Sequence, residues 1–469
     1  MSFKKSLTTI LLILSFPAIY AQNGQHQAKD STSLVAILRG GHFEMKVRTF
    51  GMATKNYGKL ADNAALAIGG SLYYESPILW KRWGFEIGGM FIYNVASTDL
   101  GKKDTTTQVK DRYEIGLFDL ENTANRTDLD RLDELNLRFH FSKKSKITLG
   151  RQLLNTPLIN PQDGRMRPSL MSGAWLNIAD FKNTSLQGGW LWGSAPRSTV
   201  HWFSIAESMG VYANGVTTTG VKANYALNLE SKGVFAIGLN TKLTKNWKLS
   251  VWNYLIENMN NTVFLHTDFE HPLSINHSNG LKLKAAFQII HQNAVNDGGN
   301  IDPTKTYVER GSKSNVFGGR IGLATPQSQL LLNYTRITAD GRFNFPREWG
   351  RDPLLTFMQR ERNEGAGDVN AVTMLFSHEN KQKDLQLSVG FGYYKMPDVK
   401  NYRLNKYGLP SYTQLNLSAK YRFSGYLKNL EIEALVAHKW NQGNLHDDDR
   451  YRINKVDMTN YNLIMNYSF

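Results

Sequence analysis

The sequence predicts an all-β fold, a transmembrane antiparallel β-barrel of about 18 strands. Three observations predict it. Short segments of alternating apolar and polar residues recur along the chain, as where Phe43, Met45 and Val47 alternate with Glu44, Lys46 and Arg48. The connections between these segments alternate short and long, which sorts turns to one membrane face and loops to the other. Aromatic residues make up 12% and glycines number 39, while the mean hydropathy is only −0.40. A strand that meets lipid on one face needs that mixture, whereas a spanning helix needs about 20 apolar residues in a row.

Residues 1–21 read as a signal peptide, with Lys4 and Lys5 before an apolar stretch and Ala21 as the small residue at the cleavage site. Its removal takes the formal net charge from +15 to +13. Residues 22–33 are polar and read as a flexible periplasmic segment, and residues 34–469 as the barrel. Zero cysteines exclude a disulfide framework, thiol catalysis and thiolate metal sites. The excess of bases suits anionic solutes or lipopolysaccharide, and export makes nucleic acid a poor partner.

The first strand is expected within 34–54, followed by 64–74, 83–96 and, after a long polar loop, 135–141. Leu135, Leu137, Phe139 and Phe141 alternate there with Asn136, Arg138 and His140. The stretch 146–173 then organises the chain. It reads as a strand, a loop carrying Asp163, Arg165 and Arg167 among Pro157, Pro161 and Pro168, and the start of another strand. Proline fixes its own φ, so this charged loop is stiff, and it is expected to narrow a pore. Further strands are expected at 174–179, 185–192, 234–243, 247–257, 262–269, 279–291, 316–323, 329–337, 369–377, 384–394, 413–423, 429–439 and 456–469. In the last, Tyr461, Leu463, Met465, Tyr467 and Phe469 share a face. This looks like the strand read by the outer-membrane barrel assembly machinery.

The parity opposite the apolar one carries Arg48, Arg138, Lys248, Lys282, Lys284, Arg320, Lys420 and Arg422. A charge facing lipid at midplane costs roughly 2–4 kcal/mol, so these bases are expected on a basic lumen wall. Glu86, Glu431 and Glu433 share the inward parity and could balance them. Arg151 breaks the pattern, because it shares the outward parity of Ile147, Leu149 and Leu153. A bulge near Gly150 or a place at the aqueous rim would resolve it. The loop 338–367 holds Arg347, Glu348, Arg351, Asp352, Arg360, Glu361 and Arg362, read mainly as a network that fixes the loop.

No cofactor or metal is expected. Asn296, Asp297, Asn300 and Asp302 are closely spaced oxygen donors, but they depart from the EF-hand pattern and read as an ordered turn. An alternative reading is a barrel enzyme of the outer membrane, a lipase or protease. The sequence has no G-x-S-x-G elbow, and His140 and His291 lie on strands, where a histidine is usually a wall residue. An adhesive or purely structural barrel would need a further domain, for which the strands leave no room.

The segments GRQLLNTPLINPQDGRMRP (150–168), NDGGNIDPTKTY (296–307) and FPREWGRDPLLTFMQRERNEGAGDV (345–369) resemble signature segments of OprD-type outer-membrane porins, in the branch found in Bacteroidetes-like bacteria. YEIGLFDLEN (113–122), PRSTV (196–200) and the C-terminal strand extend the resemblance over the mature chain. It implies passive, selective diffusion of small hydrophilic solutes, amino acids or small carboxylates, through an 18-stranded barrel in a Gram-negative outer membrane. It also implies that the third external loop, here residues 155–172, folds into the lumen, with Asp163, Arg165 and Arg167 at the constriction. A wall of arginines and lysines would guide carboxylate groups. Lipopolysaccharide and a homo-oligomer are compatible partners.

Overall fold

The computed structural model describes residues 33–162, 164–273 and 280–469. The signal peptide, the 22–33 segment up to residue 32 and Asp163 lie outside the described residues. One antiparallel sheet contains 19 strands and closes on itself. In chain order these are β1 (His42–Lys55), β2 (Asn63–Glu75), β3 (Trp83–Ser97), β4 (Arg131–His140), β5 (Lys146–Gln152), β6 (Leu170–Ile178) and β7 (Thr184–Ala195). The short β8 (Phe203–Ser204) follows, then β9 (Val234–Lys242), β10 (Trp247–Ile256), β11 (Asn260–Pro272), β12 (Lys282–Ala294) and β13 (Lys313–Ala324). The chain ends with β14 (Ser328–Ile337), β15 (Val369–Glu379), β16 (Leu385–Lys395), β17 (Tyr412–Arg422), β18 (Leu430–Asn441) and β19 (Met458–Ser468). Because β7 pairs directly with β9, β8 is an appendage of β7, and the closed barrel has 18 strands. Closure is by β1 against β19, from Lys46↔Ser468 to Lys55↔Thr459, so among the described residues the barrel leaves no sheet edge open to lipid.

The expected first strand begins too early. Leu34–Gly40 is a helix, α1, capped at Ser33, and the barrel starts at His42. The Tyr74 hydroxyl donates to the Ile37 carbonyl at 2.6 Å and tethers α1 to the end of β2. On the other membrane side, two connections, 56–62 and 257–259, are as short as the turns, so the sorting of short and long is incomplete.

Outward residues are those the alternation assigns to lipid: Leu135, Leu137, Phe91, Leu332, Met374, Leu463 and their neighbours are exposed. Aromatic rings gather at the strand ends, with Trp83 against Phe139 at 4.9 Å and Tyr467 against Phe469 at 4.8 Å. Amphipathic rings favour that depth of a membrane. Arg151 proves to be a rim residue. Its register against Leu135 is regular, with no shift at Gly150, and its guanidinium lies 4.8 Å from the Trp202 ring centre.

A register shift between Gly88 and Gly89 leaves Asp133 as an extra residue in β4. Consequently Leu132 and Leu135 both face outward while Asp133 is fully buried. Arg131 Nε donates to Asp133 Oδ1 at 2.7 Å, and Arg131 Nη1 donates to the carbonyls of Pro196 and Thr199 at 2.9 and 3.1 Å. This ties the wall to the loop after β7. Removing one partner of a buried pair costs about 3–5 kcal/mol. Arg131→Met should lower the barrel's stability by that order in urea unfolding in detergent, and adding Asp133→Leu should recover much of the loss.

Candidate functional site

In the half of the barrel next to the long loops, the lumen is largely filled. Loop side chains Leu158, Ile159, Met209, Tyr307, Phe343 and Trp349 pack with inward wall residues such as Trp252, Tyr254, Ile290 and Ile337 into one dry core. A second core joins Ile115, Leu117, Phe118 and Met166 to Phe50, Met52 and Ile92 on the wall. Burial of apolar area at about 25 cal/mol per Å² holds these loops inside the barrel. Hydrogen bonds fix the third long loop, residues 153–169, between them. The Tyr254 hydroxyl donates to Thr156 Oγ1 at 2.9 Å, and Asn160 Nδ2 donates to the Arg351 carbonyl at 3.0 Å.

What remains open is a cavity of about 810 Å³. It is bounded by the 153–169 loop, the loops 98–130, 196–233, 338–368, 396–411 and 442–457, and the wall from β17 through β19 to β1. Arg112, Arg165, Arg197, Arg351, Arg360 and Arg362 line it, along with Lys406 and Lys455. Arg165 is 5% exposed and Arg197 is 7% exposed. Arg48 on β1 donates to the Arg165 carbonyl at 2.7 Å and to Asn466 at 2.7 Å, so the wall holds the loop directly. Arg360 is fixed by Asn460 at 2.8 Å and Asn462 at 2.5 Å on β19. Burial, then the adjacent Arg360 and Arg197, push the Arg165 guanidinium well below its usual range. Burial followed by Arg347 and Arg197 pushes Arg362 down to about 9. Few acids offset them, and of these Glu361 is held well above the usual carboxylate range by burial and by Asp352. This arrangement attracts anions into a passage between two packed cores.

The signature of the outer membrane porin, OprD family, matches residues 105–469. The chain belongs to the OprD family. No curated protein matches its sequence. Among solved structures, Pseudomonas aeruginosa OccK9 (OpdG) superposes with a TM-score of 0.71 at 14% identity, covering 92% of this chain and 99% of that one. P. aeruginosa OpdK, solved with vanillate, gives a TM-score of 0.69 at 14% identity over 92% and 99% of the two chains. P. aeruginosa OccD3 (OpdP) gives 0.68 at 15% identity over 92% of each chain. At such identities the likeness is one of fold.

This OprD-family chain is therefore an outer-membrane channel for small solutes in a Gram-negative bacterium, not a barrel enzyme. Its short turns are periplasmic and its long loops external. The sequence-predicted site residues separate into distinct groups. Arg165 lies on the cavity. Arg167, two residues on, does not: it is 2% exposed and donates to the Leu129 and Thr199 carbonyls, binding the loop to its neighbours from behind. Arg347, Arg351, Arg360, Glu361 and Arg362 line the cavity. Arg347 pairs with Glu364, which also lies 3.8 Å from Arg362, and it stacks 3.9 Å from the Tyr407 ring centre. Glu348 accepts from the Gly210 and Tyr212 amides at 2.9 and 3.1 Å. Asp352 is buried, and its carboxyl is pushed up to about 6 by that burial.

The expected basic wall faces the lumen but is compensated. Arg138 pairs with Glu75 at 2.5 Å, and Lys282 and Lys284 lie 3.7 and 3.5 Å from Glu270. Lys420 pairs with Glu431 at 3.1 Å and Glu433 at 3.0 Å, and Arg422 with Glu379 and Glu431 at 3.2 and 3.1 Å. Lys248 and Arg320 share a small periplasmic-side cavity with Asp268 and Glu270. Among the oxygen donors considered for calcium, Asp297 pairs with Arg310 and Asp302 accepts from Thr304. Exposed pairs contribute little individually. Replacing Arg422 and Glu379 together by glutamine should change the anion-to-cation permeability ratio by less than about twofold, measured as the zero-current potential in a salt gradient.

Sequence reasoning missed Arg112, Arg197, Tyr212, Glu364 and Lys455 as site residues. Arg197 stands within the PRSTV segment, a detectable signal without a role attached.

Proposed function

We propose that this porin passes small anionic solutes, carboxylates or amino acids through their carboxylate, and selects them at the loop cavity beside Arg165. One observation carries the reading: the bases on the strands are matched by acids, whereas the loop guanidinium groups at the cavity outnumber the acids left around them. Field lines in a narrow, low-dielectric passage raise the local anion concentration. The vanillate in the OpdK structure, an aromatic carboxylate, is consistent with this class. Proteoliposome uptake of a small carboxylate, a neutral sugar and a cationic amino acid of similar size tests it. The carboxylate should enter fastest, and faster uptake of the cation would overturn the reading.

The passage should also respond to pH. Burial, followed by Arg112 and later Arg347, lowers the Lys455 ammonium to about 7. It is thus charged below that pH and neutral above. The anion preference should fall by up to about fivefold as pH rises from 6 to 8, the factor that a Coulomb energy of about 1 kcal/mol corresponds to. Lys455→Met should flatten that part of the profile.

Export by residues 1–21 and recognition of β19 by the assembly machinery complete the proposal, the latter supported by the exposed face of Tyr461, Leu463 and Phe469. Arg151 and Trp202 at the external rim suit lipopolysaccharide phosphates. A homo-oligomer is testable by light scattering of the purified protein.

A further inference from the structure

We infer that the cavity contains a site for a tetrahedral oxoanion carrying two negative charges, a phosphate or sulfate group, formed by Arg165, Arg197, Arg360 and Tyr212. The inference rests on the anion-selective reading above and narrows the class of anion.

Three buried donors carry it. Arg165 Nε, Arg197 Nε and the Tyr212 hydroxyl find no hydrogen-bond partner among the described residues. All three residues line the same cavity. A buried donor left unpaired costs about 1–3 kcal/mol, more when it is charged. Three such donors at one cavity match an acceptor that the described residues do not supply. Their other atoms are already anchored: Arg165 Nη1 donates to the Gly164 carbonyl at 2.6 Å, and Arg197 Nη1 to the Gln162 carbonyl at 3.3 Å. Arg360 is held through Nε and Nη2 by Asn460 and Asn462.

The groups converge on the loop backbone around Gly164. A Cβ at Gly164 would sit 3.4 Å from Arg197 Nη1 and 3.8 Å from Arg360 Nη1. A Cβ at Gly116 would sit 2.7 Å from Arg165 Nε, so only glycine leaves the guanidinium its place. Like charges packed this closely repel one another, and the nearby acids do not cancel them. Glu431 and Glu433 are engaged by Lys420. Among the described residues, Asp111 and Glu361 are the remaining acids on the cavity, and Glu361 is biased toward its neutral form.

A monocarboxylate is planar, accepts one bidentate fork and brings one charge. Three guanidinium groups and a hydroxyl from separate elements match a group with acceptors on four corners and two charges. Arginine rather than lysine is the side chain for such forks. The prolines at 161 and 168 stiffen the loop that carries Arg165, so the site is set before the anion arrives.

The test is calorimetric titration of the detergent-purified full chain at pH 8 and low salt, with inorganic phosphate and with acetate as probes. Phosphate should bind at least about tenfold more tightly than acetate, a difference of one good charge-assisted contact. Arg197→Gln should weaken phosphate by about tenfold. Tyr212→Phe, which removes one oxygen and no charge, should weaken it several-fold and keeps the readout independent of gross electrostatics. Glycerol 3-phosphate displacing inorganic phosphate would support a phosphoryl group borne on a carbon skeleton, and failure to displace it would support the free ion. Acetate binding as tightly as phosphate, or phosphate binding untouched by both variants, overturns the inference. Those results leave anion selectivity standing, because that reading falls on faster uptake of the cation or on a cation-selective zero-current potential.

Discussion

Replacing Arg165, Arg197 and Arg360 together by glutamine is expected to slow carboxylate uptake through the reconstituted porin by about tenfold or more at low ionic strength. The same variant should leave uptake of a neutral sugar of equal size nearly unchanged. The reasoning is electrostatic. These three side chains belong to different loops yet meet at one cavity of about 810 Å³, where packed cores on both sides exclude water and keep the local dielectric low. Charge there acts on every solute in transit. Because screening shortens this reach to about 8 Å at physiological salt, the deficit should shrink as salt is added. A deficit equal for sugar and carboxylate would mean that the substitutions had closed the passage instead of discharging it.

The second large effect is expected at Glu364. It is 3% exposed, pairs with Arg347 and lies 3.8 Å from Arg362, so one carboxylate holds a buried and a partly buried guanidinium group of the same loop. Glu364→Gln leaves both uncompensated, a cost of about 3–5 kcal/mol for the first pair alone. The barrel itself should survive, since its 18 strands close through backbone hydrogen bonds far from this residue. The loss should therefore appear as loosening of the 338–368 loop. Single-channel recordings should show a larger and noisier conductance with weaker selectivity, and limited proteolysis should cut within that loop. A quiet channel of unchanged conductance would show that the apolar core around Phe343 and Trp349 holds the loop without Glu364.

How much of this was legible before the structure can be judged residue by residue. The barrel was, because lipid imposes the same two-residue period on every strand, from Phe43 and Met45 to Leu463 and Met465. The inner face was not. Trp252, Tyr254, Ile290 and Ile337 face inward although they are apolar, since loops fill that part of the lumen and make it dry. Alternation reveals which residues avoid lipid, not whether water or a loop lies opposite. Asp133 and Glu134 did carry a signal, two consecutive acids that interrupt the rhythm where the register shifts. Helix α1 was hidden because the five-residue apolar run 34–38 fits a strand as well as a helix turn.

The loops were the least readable. Arg165 and Arg167 are two residues apart in one proline-stiffened segment, yet the first lies on the passage and the second is buried against the Leu129 and Thr199 carbonyls. No local rule separates them, because neighbouring loops decide which side of the segment is open. The wall bases show the same limit in reverse. Their inward direction was read from parity, but their neutralisation by Glu270, Glu379, Glu431 and Glu433 depends on cross-strand registers such as Lys420↔Glu433. Selectivity thus moves from the wall, where the sequence displays its cations, to a cluster assembled from separate loops.

The most direct measurement is the zero-current potential across a planar bilayer holding the purified porin in a potassium chloride gradient. The account predicts an anion-selective potential for the native chain, a large shift toward zero when Arg165, Arg197 and Arg360 are replaced, and almost no shift for the paired change at Arg422 and Glu379. A cation-selective native channel, or a larger shift from the wall pair than from the three loop arginines, would contradict it.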